Sequence, residues 1–170
     1  MILKYGTTYT LTDEEQLQLK NMAETICNQK REFFVNNFKV DKNMPLYDMN
    51  LNGFSAELAF CRLCGIEFDS ATIEEENHFT KVDCTLTDGR TVDVKTTIYI
   101  SGKLLAGKWK SKTIVDMFVL MIGKFPTFTF RGWANYNQLM NDSTLKNLGK
   151  GEGHCLTQEE LNKDLEINNN

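Results

Sequence analysis

Apolar residues recur along this chain at two spacings. Between Asp13 and Phe34, Leu17, Met22, Ile26 and Phe33 fall near one helical face, and Thr12 with Glu15 three residues on forms a capping box. Together they predict a long N-terminal helix. The segment "KVDKNMPLYDMNLN" reads as a loop, and "GFSAELAFCRLCG" as a short helix stopped by Gly65. In "KVDCTLTDGRTVDVKTT" the period changes to two, which predicts two strands around Asp83 and Asp93. "IVDMFVLMIG" is almost continuously apolar, as suits a buried strand, and "FPTFTFRGWA" reads as the strand beside it. A short helix from Asn135, a glycine-rich turn "LGKGEGH" and a last helix capped by Thr157 with Glu160 complete the pattern. The order predicts an α/β fold, with α+β as the alternative, built on a mixed β-sheet flanked by helices. A single domain over 1–170 is expected: an N-terminal helix and loop (1–50), a core (53–134) and C-terminal helices (135–170).

The hairpin admits two registers. With Asp88-Gly89 as a two-residue loop, Val82 faces Lys95 and Cys84 faces Asp93, so each face mixes apolar and charged side chains. With Thr87-Asp88-Gly89 as the loop and Gly89 left-handed, Cys84 lies opposite Val92 and Val82 opposite Val94. The second register sorts the side chains. Val82, Cys84, Leu86, Val92 and Val94 share one face, while Asp83, Asp93 and Lys95 share the other.

Composition narrows the class. A hydrophobic fraction of 41% and a charged fraction of 25% are those of a globular protein, and no apolar run is long enough to span a bilayer. No membrane partner is expected. The start, "MILKYGTTYTLTDEEQ", lacks the apolar stretch and cleavage site of a secretory signal, so a cytoplasmic location with five reduced cysteines is expected. The net charge of −4 argues against a protein that coats nucleic acid, but its distribution is uneven. Val94 to Val115 holds no acidic residue, and Lys103, Lys108, Trp109, Lys110 and Lys112 there form the expected phosphate-facing surface; the alternative is a solvated lysine face.

The favoured register sets Asp83 directly across from Asp93, where like charges repel. A divalent cation would turn that repulsion into ligation, and hard oxygen donors suit Mg²⁺ or Mn²⁺. Lys95 projects from the same face, where an ammonium can stabilise charge on a phosphate. Glu57 shares its helical face with Phe54, Phe60, Cys61 and Cys64, and a carboxylate there needs a partner. The alternative is a structural ion pair between Glu57 and Lys95, with solvated aspartates.

These residues resemble the signature of the PD-(D/E)XK nuclease superfamily: Glu57 in "GFSAELAF", Asp83 in "KVDC", and Asp93-Val94-Lys95 in "VDVK". The similarity covers roughly Gly53 to Trp133, and in tone extends to the small nuclease-like proteins of bacterial viruses. The resemblance implies a restriction-endonuclease-like core and Mg²⁺- or Mn²⁺-dependent hydrolysis of phosphodiester bonds, usually in DNA. It implies that Asp83, Asp93 and the Val94 carbonyl hold the metal, that Glu57 does so directly or through water, and that Lys95 is catalytic. Val82 stands where the signature has proline, and "YISGKLLAGKWKSKTI" replaces a long helix with either a β-excursion or a basic loop. A catalytically silent nuclease-like fold that binds nucleic acid or protein, as in interference with a host system, is the alternative function, and a homodimer is left open.

Other motifs are weaker. "DMNLNG" begins like a calcium loop but has Ala59 at the twelfth position. Cys61, Cys64, His78 and Cys84 form a zinc set on paper, yet read better as small buried residues. His154-Cys155 lacks an orienting third group, and "LGKGEGH" lacks the G-K-[ST] ending of a phosphate loop.

Overall fold

The computed structural model describes residues 1–29, 44–69, 82–108, 115–148 and 151–168. The N-terminal strands β1 (Ile2–Leu3) and β2 (Thr8–Thr10) lead into α1 (Asp13–Gln29), which opens with the expected capping box: the Thr12 N–H donates to Glu15 Oε2 at 3.0 Å and the Glu15 N–H to Thr12 Oγ1 at 3.3 Å. Its buried stripe is Leu19, Ala23 and Ile26, the first two clustered with Leu51 and Leu58. Leu17, expected on that face, is 62% exposed, and Phe33 lies outside the described residues.

The second helix, α2 (Leu46–Cys64), is longer than expected and absorbs the predicted loop from Leu46 onward, including Gly53. Pro45 precedes it, where its missing N–H costs no helical bond. Asn52, a residue that usually favours turns, is buried within the helix: its amide donates to the Asp48 carbonyl at 2.8 Å and its oxygen accepts the Phe125 N–H at 2.8 Å. Gly65 ends the helix in the left-handed region (φ 67°), as expected.

The main sheet follows from β3 (Cys84–Thr85), β4 (Thr91–Thr97), β6 (Met117–Lys124) and β7 (Thr127–Asn135), with β5 (Leu104–Gly107) inserted between β4 and β6. Its order is β2-β7-β6-β4-β3; β4 and β6 run parallel and the other pairs antiparallel, so the sheet is mixed. One face carries Val92, Val94, Met117, Val119 and Met121 against Ala56, Ala59 and Phe60 of α2. The other carries Phe118, Leu120 and Ile122. This explains the continuous apolar run: β6 is central and buried on both sides. A bulge in β7 between Phe130 and Trp133 shifts the register, so Phe128 and Phe130 face α2 while Ala134 packs on the opposite side. Gly132 sits there at φ 114°, and a Cβ would come within 2.5 Å of the Asn162 carbonyl.

The C-terminal third departs from expectation. After α3 (Tyr136–Leu139), capped by Asn135 and Gln138, come β8 (Leu145–Asn147) and β9 (Glu152–Leu156), which form a second sheet of order β5-β9-β8. The stretch between β4 and β6 is thus a β-excursion as far as it is described. The Thr157 and Glu160 box forms, but caps a single 3-10 turn (Gln158–Glu160) in place of a helix. Leu161 and Leu165, one helical turn apart in sequence, pack on opposite faces of the main sheet, which an α-helix forbids. The chain then pairs β10 (Leu165–Glu166) with β1. The architecture is a mixed α+β fold: a mixed sheet with α1 and α2 on one side, α3 and the small sheet on the other.

Candidate functional site

The hairpin adopts the three-residue loop. Cys84 pairs with Val92 and Thr85 with Thr91, the Leu86 N–H donates to the Arg90 carbonyl at 2.9 Å, and Gly89 is left-handed at φ 87°. Asp88 and Arg90 clamp the turn through a 2.6 Å ion pair, and the arginine beside Asp88 lowers that carboxyl to about 2.

Below Cys84 the ladder changes. The Asp83 N–H also goes to the Val92 carbonyl, at 2.9 Å, and β3 ends there. Val82 packs against the cluster that holds Phe118 and Leu120, on the face opposite Cys84. The expected pairing of Val82 with Val94 and Asp83 with Asp93 is therefore corrected: the strand is irregular at Asp83, and the two aspartates are not ladder partners. The Asp83 carboxylate instead accepts the Val94 N–H at 2.6 Å, standing in for a backbone acceptor at the edge of β4.

Asp93 and Lys95 stay on one face as expected, beside Phe118 and Leu120 of β6. Asp93 is completely buried and forms an ion pair with Lys95, whose side chain is 30% exposed. Burial opposes charge on that ammonium, but attraction from Asp93, then Asp83 and Glu57, outweighs it and raises its pKa. Glu57, half-buried on α2, is within electrostatic reach of the same groups: burial and the Asp83 charge push its carboxyl well above the usual range, against the pull of Lys95. The structure thus brings together Glu57, Asp83, Asp93 and Lys95 from one helix and one hairpin. Val94 contributes its side chain to the core and its N–H to Asp83. Among the described residues, no three His, Cys, Asp or Glu side chains already stand in metal-ligating geometry.

No described strand pairs with β4 on the Asp83 side beyond Val92. A groove of about 690 Å³ opens there, between Met49 and Asn52 of α2 and Leu105 and Cys155 of the small sheet, with Lys95 in its wall. That volume is in the range of small-ligand sites, roughly 300–1,000 Å³. Residue spacing gave no sign of the groove, because its far wall is built by β9, a strand the sequence disguises as turn and helix.

The expected phosphate-facing surface divides. Lys103 is exposed on the groove's rim. Lys108 is also exposed but pairs with Glu152 at 2.8 Å, which reduces its availability to a phosphate. Trp109, Lys110 and Lys112 lie outside the described residues, as do Lys81 and His78.

The competing motifs fold into structure. Asp48 and Asn50 lie on α2, so the calcium-like run is helical. Cys61 and Cys64 are buried on the same helix; a hydrogen bond to Cys61 pushes the Cys84 thiol up, and burial does so at Cys64, which keeps both protonated. His154 is buried, its Nδ1 2.9 Å from the Thr144 hydroxyl, holding β9 to the turn after α3. One polar link escaped the sequence reading: Glu15, 8% exposed, accepts from Arg62 Nε at 2.7 Å and the Tyr9 hydroxyl at 3.1 Å, tying the start of α1 to the end of α2. Burial pushes that carboxyl up, but Arg62, the Thr12 N–H and Tyr9 together hold it below its usual range.

Among the described residues, no helix is long and apolar enough to cross a membrane. No curated protein and no solved structure matches the chain. A family model does match, over residues 2–134, a span that holds Glu57, Asp83, Asp93 and Lys95 and ends where β7 ends, before β8, β9 and β10. The chain belongs to that family, a family of unknown function (DUF5843).

Proposed function

We infer that the protein is a metal-dependent nuclease that hydrolyses phosphodiester bonds in DNA, on a restriction-endonuclease-like core. The observation that carries the reading is the gathering of the Glu57, Asp83 and Asp93 carboxylates around Lys95, which itself lines an open groove, at the point where β3 stops along β4. The order of a Glu57 helix, then a hairpin bearing Asp83 and Asp93-Val94-Lys95, then a strand parallel to β4 is consistent with it.

The donor chemistry fits a hard divalent cation. The charges of Asp83 and Asp93 raise the pKa of Glu57, a repulsion that a positive charge between them would relieve, and all three are oxygen donors. Asp83, Asp93 and Glu57 would hold Mg²⁺ or Mn²⁺, with the Val94 carbonyl as a further oxygen; the ion would supply Lewis-acid stabilisation of charge on the phosphoryl oxygens. Lys95 would then leave Asp93 and turn its ammonium to the scissile phosphate, which the groove delivers to it. Hydrolysis forms a bond from a water oxygen to phosphorus and breaks the bond to the leaving oxygen, which takes up a proton.

A second reading has its own support. Asp93 is fully buried and already neutralised by Lys95, as in a structural ion pair, which suits a catalytically silent nuclease-like fold used for binding. Calorimetry with Mn²⁺ separates the two. The nuclease reading predicts saturable binding that Asp93→Asn abolishes and Lys95→Met retains; heat indistinguishable from dilution in the unsubstituted protein would leave only the binding fold.

A further inference from the structure

At the end of β4 the chain makes a short turn that presents Ile98, Tyr99 and Ile100 at 36%, 59% and 80% exposure. Among the described residues these form the longest consecutive run of exposed large apolar side chains. Such a run costs solubility, which calls for an explanation.

The turn is braced. The Gly102 N–H donates to the Tyr99 carbonyl at 2.8 Å, and the Tyr99 N–H to Thr97 Oγ1 at 3.3 Å. Gln158, from the 3-10 turn after β9, donates to the carbonyls of both Ile100 and Gly102, at 2.8 and 2.9 Å. Gly102 is required for the closure: a Cβ there would lie 2.1 Å from the Thr97 methyl and 2.8 Å from the Tyr99 carbonyl. The three apolar side chains therefore stand on a fixed support.

Ile98 and Tyr99 also line the groove that contains Lys95, and Lys103 and Lys146 stand on the same groove. Both of these lysines lie within electrostatic reach of Glu160, whose carboxyl is held low first by Thr157 and then by the two ammonium groups. The groove thus combines apolar walls, an aromatic ring and three lysines. A duplex keeps its bases stacked inside and offers mainly phosphates to such a surface. An unpaired strand offers apolar base faces and phosphates together, the combination that aromatic and lysine side chains bind.

We propose that the braced Ile98–Ile100 tip is a stacking platform and that the groove takes an unpaired nucleic-acid strand, its bases against Ile98, Tyr99 and Ile100 and its phosphates along Lys95, Lys103 and Lys146. The proposal names the substrate class of the nuclease reading and rests on it for the role of Lys95; the binding it predicts is measurable without cleavage.

The test is fluorescence anisotropy with a labelled oligothymidylate and a labelled duplex of equal length, in EDTA, using the full chain and its Asp93→Asn variant. Both proteins should bind the single strand at least about tenfold more tightly than the duplex, and Tyr99→Ser or Ile100→Ser should weaken single-strand binding roughly tenfold, the loss expected of one stacked base. Tyr99→Phe should restore it, and the double variant Lys103→Ser/Lys146→Ser should lower the salt dependence by about one to two phosphate contacts. Tyr99, Ile100, Lys103 and Lys146 are exposed, so an unchanged melting midpoint relative to the parent serves as the folding control for their variants. Equal affinity for both forms, or tip variants that bind like the parent, would overturn the proposal even if Mg²⁺-dependent cleavage is found. Preference for the single strand with tip-dependent affinity but no cleavage would uphold it and remove the nuclease reading instead. Absence of binding to either nucleic acid would overturn it and leave the tip as a protein-docking face.

Discussion

Replacing Lys95 with methionine removes the cation that pairs with Asp93 while keeping most of its packing. Asp93 has no solvent exposure and Lys95 is its ion-pair partner, so the substitution leaves a buried carboxylate without its counter-charge. Breaking a buried pair in this way costs ~3–5 kcal/mol, and a Coulomb estimate at ~4 Å with an effective dielectric of ~20 gives about 4 kcal/mol. The Lys95 side chain retains 30% of its exposure, so screening by water reduces this to about 2–4 kcal/mol. For a chain of this size that corresponds to a fall of roughly 5–15 °C in melting midpoint. Urea unfolding in EDTA measures it directly, and a double-mutant cycle with Asp93→Asn measures the coupling. The double variant should be more stable than Lys95→Met alone, because the uncompensated charge is gone. As a comparison, Lys108→Met breaks an ion pair whose partners are both about 60% exposed and should leave the midpoint unchanged. A loss at Lys95 below about 0.5 kcal/mol, or additive effects of the two substitutions, would refute the pairing on which the electrostatic account depends.

Three further outcomes follow from the fold. The Asp88 carboxyl is lowered to about 2 by Arg90, so its contribution is present above its unfolded pKa near 4 and lost as pH falls towards 2; Asp88→Asn should cost about 1 kcal/mol at pH 7 after allowance for screening, and flatten acid unfolding between pH 4 and 2. Gly65→Ala, at φ 67° with open space for a Cβ, should cost about 1 kcal/mol in chemical denaturation, whereas Gly132→Ala should cost considerably more, because its Cβ would meet the Asn162 carbonyl at 2.5 Å. Phe60→Ala, which empties a fully buried position between α2 and the sheet, should lose ~3–5 kcal/mol, read from the same denaturation curves.

What could be read from residue order was local. The capping box at Thr12, the stop at Gly65 and the hairpin loop around Gly89 each depend on residues within a few positions of one another, and each forms as the spacing predicts. The shared strand face of Asp93 and Lys95 was legible for the same reason, as was the place of Glu57 on the neighbouring helix, whereas the predicted pairing of Asp83 with Asp93 does not form. What failed was set by distant partners. Asn52 is held in a helix by the Phe125 N–H, 73 residues away, against its own preference for a turn. The segment after Thr157 has helical composition but must place Leu161 and Leu165 on opposite sides of the main sheet. The irregularity at Asp83 moves Val82 to the far face, and no alternation rule anticipates a bulge. The groove was invisible because two of its walls come from such segments.

The central claim is that Glu57, Asp83, Asp93 and Lys95 form one hydrolytic centre. Its most direct measurement is cleavage of end-labelled single-stranded and duplex DNA by the purified chain in Mg²⁺ or Mn²⁺, against EDTA, with Asp93→Asn and Lys95→Met prepared in parallel and verified as folded. The account predicts strand cleavage that requires the metal and falls by about a hundred- to a thousandfold in each variant, of the order that loss of a key electrostatic stabiliser costs. Cleavage that survives both substitutions, or a metal-loaded parent protein that leaves every strand intact, would contradict it.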